Sequence, residues 1–131
     1  MKKWLLITLL ITGFGATIST ARAQERPMET YRARLSARDH VSSRGERLKK
    51  PAAIIRQDRA NFHKFGKRDS EDGYDSFFSK SSNRDRLEKL LERGTISRSA
   101  RNLIVNGNPL IEVQIYKNRV SVSVATGGVW D

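Results

Sequence analysis

Three groups of residues in this chain are of types that could do chemistry. The first is Asp39-His40 followed by Ser42-Ser43. Acid, imidazole and hydroxyl are the components of a hydrolytic triad, and with neighbouring Arg they are also those of a small nuclease. The G-x-S-x-G turn that presents a nucleophilic Ser is not in the sequence. The second histidine, His63, has no H-E-x-x-H and no cysteine around it, so zinc chemistry finds no ligand set. Asp39, His40 and His63 are therefore the catalytic candidates, and a surface loop is the plainer reading of the first two. No metal or cofactor is expected.

The second group is acidic: Asp69, Glu71, Asp72 and Asp75 around Gly73. A calcium loop of the EF-hand type needs Gly at its sixth position and an acid at its first. Placing Gly73 sixth puts Arg68 first, so the frame fails. A salt-linked loop, with Lys67 and Arg68 interleaved, is the expectation.

The third group is basic. Arg32, Arg34, Arg38, Arg44 and Arg47, then Lys49 and Lys50, are interrupted only by Asp39 and Glu46. Seven cations against two acids suggest an anion-binding face. Its five arginines are the candidate binding residues. Tyr31 is the only aromatic beside them, which disfavours a base-stacking platform for nucleic acid. The partners that fit are an anionic envelope component or an acidic protein.

These residues must be held by a scaffold, and residues 51–65 are its clearest helix. Pro51 suits the first helical position and Gly66 a left-handed stop. Ile54, Ile55, Phe62 and Phe65 share one face at 3.6 residues per turn, with Arg56, Arg59 and His63 turned toward the other. Asp58 falls inside the apolar stripe. A bare buried carboxylate is too costly, so Asp58 is expected in a structural ion pair with an Arg or bonded to backbone donors.

Around that helix, residues 31–35 alternate as a short strand, and 36–50 read as loop with at most a helical turn. Ser82 or Asn83 can cap a second helix, 84–93, that buries Leu87, Leu90 and Leu91 and ends at Gly94. Ser97 can cap a third, 98–105, with Ala100, Leu103 and Ile104 inward. Residues 110–116 and 119–125 alternate as a hairpin about Lys117-Asn118. That register sets Ile111 against Val124, Val113 against Val122, and Ile115 against Val120. The expected fold is a small single α+β domain: three helices packed on a C-terminal β-hairpin, with an N-terminal segment as candidate third strand.

The chain opens with Lys2 and Lys3, an apolar run, and Ala21-Arg22-Ala23, the three parts of a bacterial secretory signal. We read 1–23 as a cleaved leader, 24–29 as a flexible lead-in, 30–125 as the domain and 126–131 as a tail. The apolar run is short for a span of ~20 residues, so no membrane span is expected in the mature chain. Removing the leader takes Lys2, Lys3 and Arg22 from a formal charge of +11, leaving +8. The chain has no cysteine, which excludes disulfides and cysteine lipidation in the expected periplasmic or secreted location. The leading reading is an exported basic module, non-catalytic, that binds an envelope partner. A nuclease-like hydrolase using Asp39, His40 and Arg is the second. An inhibitor or structural subunit acting through the hairpin edge is the third.

Overall fold

The computed structural model describes residues 23–125. The expected leader, Ala23 apart, and the expected tail lie outside them. The described residues form a small α+β domain in the order β1 (Glu29–Arg34), a 3-10 turn (Ala37–His40), α1 (Pro51–His63), a second 3-10 turn (Phe77–Ser79), α2 (Ser81–Asp85), α3 (Leu87–Glu92), α4 (Arg98–Asn106), β2 (Leu110–Ile115) and β3 (Val120–Val124). The strands make one antiparallel sheet in the order β1-β2-β3. Glu29, expected in the lead-in, already pairs with Ile115.

The hairpin register is the one that alternation gives: Ile111 opposite Val124, Val113 opposite Val122, Ile115 opposite Val120. A slip of one residue would turn every Ile and Val of the pair to the outside, so burial of one face enforces it. Tyr31, Ala33 and Leu35 extend that face. Against it pack Ile54 and Ile55 of α1, Leu87, Leu90 and Leu91 of α3, Ile104 of α4, and Phe78.

The structure corrects the helix count from three to four. The expected helix 84–93 starts earlier, at Ser81, and divides at Arg86, whose φ of −92° and ψ of −3° flatten the turn. The Arg86 N–H closes back on Asn83 O, a three-residue 3-10 step. Gly94 follows α3 for steric reasons, since a Cβ there would lie 1.7 Å from Val120 O. Ser97 caps α4, its Oγ accepting from Ala100 N at 3.1 Å.

Two apolar assignments are also corrected. Phe65 is 46% exposed, because α1 ends at His63 and Gly66, at φ +65°, carries the chain away before another turn forms. Leu103 is 48% exposed, because α4 buries only Ala100 and Ile104.

Candidate functional site

Helix α1 buries a wider arc than its apolar residues mark. Ala52, Ile54, Ile55, Asp58, Arg59, Asn61 and Phe62 are all buried. Arg59, expected on the solvent side, is fully buried, and His63 keeps only 7% of its side-chain exposure. Arg59 stands four residues after Ile55 and three before Phe62, so helical geometry puts it on their face. Its guanidinium carbon lies over the Tyr31 and Phe62 rings, 4.2 and 4.4 Å from their centroids.

What makes that burial tolerable is a set of carboxylates. Arg59 Nε donates to Asp58 Oδ2 at 2.7 Å, and Nη1 donates to Asp75 Oδ1 and to Gly73 O, both at 3.0 Å. Asp75 is itself fully buried. It accepts the Phe78 N–H at 2.6 Å and lies 3.0 Å from His63 Nε2. The carboxylate of a residue sixteen positions downstream thus joins α1, the 70s loop and the second 3-10 turn. Burial pushes the Asp58 carboxyl up to about 7, against the pull of Arg59. Asp58 therefore sits in an ion pair that desolvation opposes.

Asp39 and His40 are buried beside this cluster. Asp39 accepts from Ser36 N and Ser36 Oγ, and from Asn61 Nδ2 at 2.8 Å. Burial raises its carboxyl above the ordinary range, partly offset by the Asn61 and Ser36 bonds. His40 Nδ1 lies 2.8 Å from Ser36 O and Nε2 lies 2.7 Å from Ile104 O. Both ring nitrogens are occupied by backbone carbonyls, and the ring is 2% exposed. A general base needs a nitrogen within reach of a substrate proton, and His40 offers none in this arrangement. The acids of the 70s loop also have partners: Glu71 with Arg34, Asp69 with Arg38, and Asp72 with the Arg34 and Asp69 amides.

The basic run does not form one open face. Arg32 pairs with Glu112 at 3.3 Å, Arg34 with Glu71 at 2.5 Å, and Arg38 with Asp69 at 2.9 Å. Arg47 donates to Val105 O. Of the five candidates, only Arg44 has an exposed side chain with no bonded guanidinium partner among the described residues. The edges of the sheet are partly occupied as well. Gly73 N donates to Arg32 O on the β1 side, and Val122 N donates to Thr95 O on the β3 side.

The open cationic surface lies elsewhere. A groove of about 400 Å³ runs between the Ser42–Arg44 turn and the outer side of α1, past Ala53, Gln57, Ala60, Lys64 and Phe65, to Ser81 and Arg84 of α2. A hollow of about 300 Å³, lined by Arg38, Ser42, Ser43, Phe65 and Lys67, adjoins one end. A further one of about 400 Å³, lined by His63, Lys64, Ser79, Ser81 and Arg84, adjoins the other. Among the described residues Arg44, Lys64, Lys67 and Arg84 enter no ion pair, whereas Arg56 is paired with Asp85. Sequence reading missed Lys64, Lys67 and Arg84 because they come from the end of α1, the loop after it, and α2. The only signal was excess charge.

The chain significantly matches no protein-family model, no curated protein and no solved structure.

Proposed function

We propose that this is an exported, non-catalytic module that binds an anionic envelope component, and that it does so in the α1 groove rather than through the arginines beside β1. The observation that carries this reading is the division of its cations. Those on the sheet side are neutralised by Glu112, Glu71 and Asp69, while Arg44 and Lys64 of the groove and Lys67 of the adjoining hollow enter no ion pair among the described residues; the groove's acid, Asp85, is taken by Arg56. Unpaired cations along a concave surface concentrate field and attract anions. Phe65 is the one aromatic along it, which favours a non-nucleic-acid polyanion. The hydrolase reading loses support because Asp39 and His40 are enclosed, and the hairpin-edge reading because both outer strands carry loop contacts.

Titration of the protein with anionic vesicles and with a soluble polyanion, at low and high salt, tests this. Arg44→Gln and Lys67→Gln should each weaken binding by about two- to fivefold, as an exposed charge contributes up to about 1 kcal/mol. Arg32→Gln should leave it unchanged. Equal losses from all three would reduce the effect to net charge and sink the groove assignment.

A further inference from the structure

The end of the groove differs from the rest in how its cations are held. Arg84 is only 8% exposed, yet it enters no ion pair among the described residues. Its Nη1 donates to Phe78 O at 2.7 Å and to Ser79 O at 3.2 Å, which fixes the guanidinium but does not offset its charge. A buried cation without a counter-ion is costly and gains most from an anion placed beside it. Arg59, the other deeply buried arginine, has two carboxylates. Arg84 has a cavity.

His63 lines the same cavity, and it too is fixed. Asp75 takes its Nε2, and Asp75 is held in turn by Arg59 and the Phe78 amide. His63 Nδ1 has no partner among the described residues. Among the described residues the buried polar side-chain atoms without a partner are Tyr31 Oη and Arg59 Nη2, and His63 Nδ1 is not one of them. Lys64 and the exposed Ser81 complete the wall, and no acid lines it. Ser79 Oγ is already committed to Ser76 O.

We propose that this pocket is a phosphate site, taking the terminal phosphate of a monoester whose organic part lies in the groove past Ala60 and Phe65. The inference rests on the anion-binding reading above and names the ligand class. Arg84 Nε and Nη2, the Lys64 ammonium, Ser81 Oγ and His63 Nδ1 are more groups than the two oxygens of a carboxylate can use. They suit the three terminal oxygens of a monoester. His63 Nδ1 matches either ionic form, accepting from a P–OH or donating when it carries a proton. Because Arg84 and His63 are already ordered, little side-chain entropy is lost on binding.

The test is calorimetric titration of the full chain, at constant ionic strength, with inorganic phosphate and glycerol 1-phosphate, and with phosphatidic acid against phosphatidylglycerol vesicles. Saturable one-to-one binding is expected for the monoesters. Lys64→Gln and Arg84→Gln should weaken it about tenfold or more, the loss of a charge-assisted hydrogen bond. The surface control Lys117→Gln should not. If Arg84→Gln fails to fold, the exposed Lys64 carries the test. Binding of glycerol 1-phosphate supports a soluble phosphate ester, and binding confined to phosphatidic acid supports a lipid headgroup. Either result upholds the pocket. Equal losses from Lys64→Gln and Lys117→Gln would overturn it. Binding of polyanions without any monoester binding would overturn the pocket and leave the groove reading standing. No binding of any anion would overturn both.

Discussion

The paired arginines of this domain occupy two environments, and the same ion-pair chemistry has opposite weight in each. On the sheet side Arg32, Arg34 and Arg38 meet Glu112, Glu71 and Asp69 with both partners partly in water. Inside, Arg59 meets Asp58 and Asp75 with every group essentially dry. Water screens the first set, and side-chain freedom is lost in forming it, so little stability is gained. The second set has no water to fall back on. Removing one partner leaves the others charged in a medium that penalises them. The lesson is that counting pairs says little here, whereas asking which pair has an alternative partner in solvent says much.

Asp75→Ala should break the inner set most. It strips Arg59 Nη1, His63 Nε2 and the Phe78 amide of one acceptor each. A loss of about 3–5 kcal/mol is expected from the denaturant midpoint at constant slope. A loss under about 1 kcal/mol would mean that the two environments do not differ.

Acid titration sharpens the contrast next. The Asp58 carboxyl is raised from 3.8 to about 7 in the folded state, with burial the main cause. A raised carboxyl binds its proton more tightly when folded. Its contribution to stability is therefore full below about pH 4, declines as pH rises, and is gone above about pH 7. The decline is on the order of 2–4 kcal/mol. Asp39, also raised by burial, adds a contribution of the same sign. Asp58→Asn should gain stability relative to the parent as pH goes from 4.5 to 7.5, measured by paired denaturant melts. Parallel pH curves would show that Asp58 is ionised in both states.

The outer set should barely respond. Arg32→Gln is expected to cost no more than about 1 kcal/mol, shrinking further in high salt. A cost as large as that of Asp75→Ala would erase the distinction from the other side.

Much of the scaffold was legible because it depends on neighbours in the chain. Alternation of Ile, Val and polar residues in 110–125 dictated the hairpin register, and Pro51 and Ser97 marked helix starts where the structure has them. The candidate site was less legible. Arg59 could have been placed inward from its spacing to Ile55 and Phe62, but a charge on an apolar face is ambiguous until its counter-charge is located. Lys64, Lys67 and Arg84 carried no local pattern at all.

The sequence by itself determined the hairpin register, the starts of α1 and α4 and the coarse α+β class, since side-chain periodicity and capping act over a few residues. The tertiary structure alone decided which cations are free. Arg32 finds Glu112 and Arg59 finds Asp75 only once the sheet and the 70s loop are assembled, whereas Arg84 donates to two backbone carbonyls and enters no ion pair among the described residues. Electrostatic pairing depends on distance in space and on access to water, and neither is a function of separation along the chain.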